Sequence, residues 1–163
     1  DIFSIFKNYG TKVLKERPLA IQKNRINELK RWGNHLKIKF NIVPKFHPVN
    51  PEISSKIIIA AYLYLQNTEK TFALVKKLCE AVWINELNVS DIETVKNIAI
   101  ELDIDNKIIK NFLSDNEVIS LYKKNTKDAT EKGIFGVPSF IYENELFFGQ
   151  DRMFMIEDKI ISK

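Results

Sequence analysis

Apolar residues recur at helical spacing through the first part of the chain. Ile26, Leu29, Trp32 and Leu36 are three or four positions apart, which is typical of an amphipathic helix. Pro18 precedes them, at a position where a helix start tolerates proline. The sequence therefore predicts a first long helix after Pro18.

Two further helices follow. The stretch from Pro51 to Gln66 is nearly all apolar in its second half, which indicates a helix buried on most sides. The next helix is predicted to begin at Thr68. Its expected core stripe consists of Phe72, Val75, Cys79 and Val82.

Two capping signatures lie further along the chain. "SDIE" (Ser90 to Glu93) and "SDNE" (Ser114 to Glu117) match the capping box, in which a serine accepts from the N3 amide and a glutamate reaches back to the cap. Each predicts a helix start. The second helix should run to about Lys132 and end at Gly133, a residue suited to a left-handed C-cap.

The pattern changes after Gly133. "PSFIY" and "LFF" are rich in strand-forming residues and are separated by Glu143-Asn144-Glu145, which predicts a β-hairpin. Asp151 is then the expected N-cap of a final helix. Met153, Ile156 and Ile160 would form its inner face.

Composition limits the functional classes. The 163 residues suffice for one substantial core, and 25 basic against 21 acidic residues give a net charge of +4, too small and too scattered for a nucleic-acid surface. No apolar run reaches the length of a membrane span. His35 and His47 are isolated, so no metal site is expected. The single Cys79 excludes an internal disulfide and fits a reducing cytosol.

A Val-Pro step precedes the predicted hairpin. A hairpin and closing helix after such a step are typical of the C-terminal half of a thioredoxin-type fold, with Pro138 as its cis-proline. The exposed backbone of Val137 would then pair with an extended cysteine-containing peptide. A plain strand entry with a trans proline is the alternative.

These segments resemble a known family. "GIFGVPSF" (133 to 140) followed by "LFFGQDR" (146 to 152) is similar to the 2-hydroxychromene-2-carboxylate isomerases and kappa-class glutathione transferases, in the DsbA-like branch of the thioredoxin superfamily. Weaker similarity extends over nearly the whole chain. The resemblance implies an α/β protein, a DsbA-like thioredoxin fold with a large all-helical insertion.

The resemblance also implies glutathione as the cofactor. Its cysteinyl part would pair with Val137 before Pro138, and its γ-glutamyl end would meet the amides of Gln150 and Asp151, since a helix start favours a carboxylate. Asp151 would hold the ammonium. Thr11, where the family often has asparagine, would offer a hydroxyl.

The expected organisation has three parts. Residues 1–17 would connect the thioredoxin domain to the insertion, residues 18–132 would form the helical insertion, and residues 133–163 would complete the thioredoxin domain. The chain begins at Asp1 without an initiator methionine, so the βαβ part and the family's catalytic serine are expected upstream. No catalytic residue is assigned within this chain.

The leading hypothesis is a cytoplasmic glutathione-dependent isomerase or kappa-like transferase. Glutathione thiolate would add to a small hydrophobic or aromatic electrophile, with neither nucleic acid nor membrane as a partner, and a homodimer is compatible with the apolar surface. One alternative is a DsbA-like thiol-disulfide oxidoreductase with its cysteine pair upstream. Another is a non-catalytic helical binding module.

Overall fold

The computed structural model describes residues 1–162, which form helices and one small sheet. Two 3-10 turns cover Leu14–Glu16 and Gln150–Arg152. The helices are α1 (Ile2–Asn8), α2 (Leu19–Leu36), α3 (Glu52–Leu65), α4 (Thr68–Trp83), α5 (Ile92–Glu101), α6 (Asn106–Asn111), α7 (Asn116–Glu131) and α8 (Met153–Ile161), and the strands are β1 (Ser139–Tyr142) and β2 (Glu145–Phe148).

The main core lies in a compact unit formed by residues 17–123. It is built by α3 to α6 and the first turn of α7, which bury branched and aromatic side chains against one another. This burial supplies most of the driving force for folding the unit. The largest fully buried side chains are Ile57, Leu74, Val95, Phe112 and Val118.

The buried face of α4 differs from the predicted stripe. Leu74, Leu78, Ala81 and Val82 are buried, whereas Phe72 is 68% exposed. The predicted stripe was therefore wrong at Phe72 and Cys79, whereas Val75 is half-buried and Val82 is buried as expected. Cys79, expected in the core, is exposed, because α4 turns its 74/78/81/82 face toward α3 and α5.

Aspartates, not serines, cap α5 and α7. The Asp91 carboxylate accepts from the Thr94 amide at 2.8 Å. The Asp115 carboxylate accepts from the Glu117 amide at 2.9 Å and the Val118 amide at 3.2 Å. The capping-box prediction thus located both helix starts within two residues but chose the wrong cap, since each serine is followed by an aspartate that caps equally well.

A second compact unit contains residues 1–16 and, among the described residues, 124–162. Here α1 is tied to α7 by the Tyr9 hydroxyl, which donates to the Thr130 carbonyl at 3.0 Å. Gly133 ends the α7 region with φ of 74°, as predicted. The predicted segments 1–17, 18–132 and 133–163 stay a prediction; the compact units divide within α7, between residues 123 and 124.

The predicted hairpin is confirmed. β1 and β2 pair antiparallel with Ser139 opposite Phe148 and Tyr142 opposite Glu145. Glu143 and Asn144 both have positive φ, the conformation that a two-residue turn of this hand requires. The expected inner face of α8 is wrong at two of its three positions, because Met153 and Ile160 are each 55% exposed, whereas Ile156 is half-buried.

Candidate active site

The loop before β1 carries the first predicted binding residues. The Val137–Pro138 peptide is cis, as the sequence predicted. Val137 is 64% exposed, and its backbone N–H and C=O form no hydrogen bond within residues 1–162. An extended peptide can therefore pair with this residue as an added strand.

The same loop is anchored on both sides. The Ser139 hydroxyl donates to the Gly136 carbonyl at 2.7 Å. Gly136 is buried against the Phe148 ring, where an added Cβ would come within 2.9 Å of a ring carbon. The close approach explains glycine at this position, and it fixes the loop beside the end of β2.

One backbone hydrogen bond joins the two halves of the predicted site. The Gly149 amide donates to the Pro138 carbonyl at 3.0 Å, directly after the pairing of Ser139 with Phe148. The turn that begins α8 thus lies beside the Val137–Pro138 loop. The structure brings Val137, Pro138, Gln150 and Asp151 together at one end of the hairpin.

Asp151 does not cap α8 as expected. Its carboxylate turns back over Gly149, which has φ of 107°, and accepts from the Arg152 guanidinium at 2.7 Å. No side chain caps α8, whose N-cap position is Arg152. The N-cap prediction was wrong because the chain forms a 3-10 turn over Gln150–Arg152 before α8 begins.

The backbone of this turn leaves donors available. The Arg152 amide donates to the Gly149 carbonyl at 3.2 Å. In the described part of the chain, the amides of Gln150 and Asp151 donate to no acceptor. Unpaired amides at the start of a helical segment favour an anion such as a carboxylate.

Thr11 is not brought to this cluster by any contact among the described residues. It follows α1, is half-buried, and its amide donates to the Phe6 carbonyl at 2.9 Å. Its predicted binding role is therefore carried by the sequence resemblance alone.

Two aromatic residues of the loop region were missed as site candidates. Phe135 and Phe148 lie with ring centroids 4.8 Å apart, and both are partly exposed beside the Val137–Pro138 loop. Their positions, flanking Gly136 and Gly149 in sequence, were the available signal. They offer an apolar surface for a small aromatic molecule.

A separate cavity of about 510 Å³ lies within the compact unit of residues 17–123, which we call the helical unit. Ala60, Leu65, Ile108 and Phe112 supply apolar walls, and Tyr64 and Asp115 are among the polar residues that line it. The Tyr64 hydroxyl donates toward Asp115, at 2.9 Å, and Glu117, at 3.2 Å. These carboxylates stabilise the protonated phenol and raise the pKa of Tyr64 to about 12.

Residues 1–162 contain no cluster of three or more side chains able to hold a metal ion. None of the helices in the same part of the chain has the length and apolarity needed to cross a bilayer.

The class of protein follows from the fold and from a family comparison. A family model described as the DSBA-like thioredoxin domain matches residues 3–161. The chain belongs to this family, and its fold is DsbA-like, mostly helical with a small two-stranded sheet.

Relatives within the family are similar to this chain over most of its length. A 2-hydroxychromene-2-carboxylate isomerase of Pseudomonas putida is 30% identical over 131 residues, which is 80% of this chain and 61% of the relative. An isomerase of the same name from Pseudomonas sp. (strain C18) is 28% identical over 134 residues, covering 82% and 59%. The chain thus spans about three fifths of the length of these relatives.

A solved structure supports the same fold. It is of a selenomethionine 2-hydroxychromene-2-carboxylate isomerase and matches with a TM-score of 0.76 and 23% identity, over 98% of this chain and 76% of that one. The resemblance found in the sequence is confirmed by these relatives.

Proposed function

We propose that this protein is a glutathione-dependent isomerase that acts on 2-hydroxychromene-2-carboxylate or a related small aromatic electrophile, or a kappa-like glutathione transferase. The names of its relatives favour the isomerase. The observation that carries glutathione binding is the hydrogen bond from the Gly149 amide to the Pro138 carbonyl. It sets a peptide-pairing backbone beside two open amides and a carboxylate, as a γ-glutamyl peptide requires.

Each residue of the cluster has a definite role in this proposal. The Val137 backbone pairs with the cysteinyl part, beside Pro138. The amides of Gln150 and Asp151 bind the γ-glutamyl carboxylate, and the Asp151 carboxylate binds its ammonium. When bound, glutathione supplies the thiolate that adds to the electrophile. The chain positions the two reactants, and none of its residues is assigned to activate the thiol. A cytoplasmic location and a homodimer belong to the same proposal.

Asp151 and Arg152 provide a test of the binding mode. Asp151→Asn should weaken glutathione binding about tenfold, as expected for the loss of a charge-assisted hydrogen bond. Arg152→Gln is the matched control, because it removes the ion-pair partner of Asp151 and should leave binding as tight or tighter. Isothermal titration of both variants with glutathione measures this. Equal weakening by both substitutions would contradict the proposed role of Asp151.

A second ligand tests the two ends of the proposed glutathione site separately. Cysteinylglycine lacks the γ-glutamyl group, so its binding should be the same in the wild type and Asp151→Asn. If Asp151→Asn weakened the binding of cysteinylglycine, Asp151 would contact a part of the ligand other than the γ-glutamyl group.

The reaction is tested on the native protein. Conversion of 2-hydroxychromene-2-carboxylate, followed by ultraviolet absorbance, should occur with glutathione and stop without it. Conversion without glutathione would support the proposed isomerase activity but contradict the proposed dependence on glutathione. Reduction of a protein disulfide in place of conversion would make the protein a thiol-disulfide oxidoreductase.

A further inference from the structure

An irregular stretch of the helical unit lies across the end of α4. We call residues 38–48 the crossing segment. The Asn41 amide donates to the Trp83 carbonyl at 2.7 Å, and the Asn41 side chain donates to the Ile84 carbonyl at 3.1 Å. The Lys45 amide donates to Glu86 Oε1 at 3.3 Å. The segment is thus attached to α4 by a few polar contacts at its C-terminal end.

The Trp83 ring is the centre of the apolar attachment. The ring centroid of His47 lies 4.7 Å from that of Trp83, and Phe40 meets the same indole edge-on at 5.9 Å. On α2, the guanidinium carbon of Arg25 lies over the Trp83 ring at 5.8 Å. One indole therefore contacts a fixed cation and a titratable imidazole.

We propose that His47 is a pH-sensitive catch, which holds the crossing segment on Trp83 when neutral and releases it when protonated. Protonation puts a second positive charge beside Arg25 in a half-buried aromatic cluster. The indole offers a cation–π contact, but Arg25 already occupies it, so the second cation meets repulsion.

Charges of both signs lie near His47, and the charge that lowers its pKa is that of Arg25. Arg25 projects from α2, Lys45 belongs to the crossing segment, and Glu80 and Glu86 lie near the end of α4. Burial lowers the pKa of His47 first and the charge of Arg25 lowers it further, while a hydrogen bond to the residue's own backbone acts in the opposite sense. Closure is therefore complete above pH of about 6.5, the ordinary histidine value, and weakens as the pH falls through it.

Release of the segment has a local consequence. Ile38 and Phe40 form part of a shallow apolar groove of about 270 Å³ that also contains Cys79 and Trp83. Removing these two side chains would expose more of the half-buried Trp83 indole and widen the groove. The catch thus controls access to an apolar surface of the helical unit.

The chain contains a matched control. His35 is its only other histidine, and it also contacts a tryptophan, with its ring centroid 5.7 Å from that of Trp32. It is exposed and belongs to α2, not to the crossing segment. A pH effect that arises from the catch should depend on His47 and not on His35.

Nuclear magnetic resonance of the native protein tests the catch. Ring proton shifts give the pKa of each histidine, and exchange protection of the Asn41 amide reports on the attached segment. Protection, corrected for intrinsic exchange, should fall about threefold or more between pH of about 7.5 and 5.5. His47→Gln should abolish this fall, and His35→Gln should retain it. A fall that persists in His47→Gln, or a His47 that titrates at or above 6.5, would overturn the proposal.

A second variant covers the case in which His47→Gln fails to fold. Arg25→Gln removes the repelling charge, so the pKa of His47 should rise and the pH response of Asn41 should shrink. An unchanged pKa would overturn the repulsion on which the catch depends. Far-ultraviolet circular dichroism at neutral pH checks the fold of each variant.

Discussion

Gly149 has the most constrained backbone of the candidate site. Its φ of 107° is a conformation that L residues rarely adopt. A Cβ there would also collide with the Asp151 carboxylate unless that side chain turned away. The geometry of the turn therefore depends on glycine, for steric as well as conformational reasons.

We expect Gly149→Ala to lower the free energy of unfolding by about 1–3 kcal/mol, because strain and collision add. Gly10→Ala is the control, since Gly10 has φ of 64° with no atom near its missing Cβ, and should cost about 1 kcal/mol, clearly less than Gly149→Ala. Urea unfolding of both variants measures the difference. Equal costs would show that the Asp151 contact does not constrain Gly149.

Tyr64 has a pH dependence whose sign is fixed by its partners. The pKa of Tyr64 is raised to about 12 in the folded protein, by the hydrogen bond to Asp115 first. Since the folded value exceeds the ordinary value of 10.0, its stabilising contribution is present below pH 10.0 and is lost as the pH rises toward 12.

Absorbance titration of wild type against Tyr64→Phe isolates this phenol. The difference spectrum should show no phenolate at pH of about 10.5, where an ordinary tyrosine is already mostly ionised. Circular dichroism confirms that both proteins remain folded at that pH. A difference spectrum with its midpoint near 10 would show that the hydrogen bonds to Asp115 and Glu117 do not form.

Hydrogen bonds at the start of α5 identify the residue that caps this helix. Asp91 accepts from both the amide and the hydroxyl of Thr94, each at 2.8 Å, and these bonds lower the pKa of its carboxyl. The Ser90 hydroxyl instead donates to Asn88 Oδ1 at 2.7 Å. The cap of α5 is therefore Asp91.

We expect Asp91→Ala to lower the urea midpoint clearly more than Ser90→Ala does at neutral pH. The depressed pKa means that this stability is present above the ordinary value of 3.8 and is lost as the pH falls through the folded value. The difference between Asp91→Ala and wild type should therefore shrink in acid. A larger effect of Ser90→Ala would show that Ser90, not Asp91, caps α5.

The elements that sequence predicted best are those with redundant local signals. The hairpin had strand-forming residues on both sides of a turn, and α3 and α4 had strong apolar periodicity and begin within a residue of the predicted starts. Faces were harder to predict. On α4, apolar residues lie on both sides of the helix, so periodicity alone did not separate buried Leu74 from exposed Phe72.

At the scale of the whole molecule, the sequence predicted part of the candidate site. Val137, Pro138, Gln150 and Asp151 are near in sequence to the two ends of one hairpin, so antiparallel pairing brings them together. Thr11 is more than a hundred residues away in sequence, and no local sequence pattern predicts where it lies relative to the hairpin. The orientation of the Asp151 side chain depends on the 3-10 turn, which the sequence pattern did not predict.

The stability of the helical unit should depend on a few central side chains. Leu74 is fully buried among α3, α4 and α5, whereas Phe72, two positions earlier on α4, is 68% exposed. Leu74→Ala should therefore cost about 2–5 kcal/mol in free energy of unfolding, through lost burial and an unfilled cavity.

Phe72→Ala should cost less than about 1 kcal/mol, although it removes a larger side chain, because little of that side chain leaves water on folding. Urea unfolding followed by circular dichroism compares the two variants. A larger effect of Phe72→Ala would mean that the native protein covers this face of α4, and it would return Phe72 to the core that the apolar periodicity first indicated.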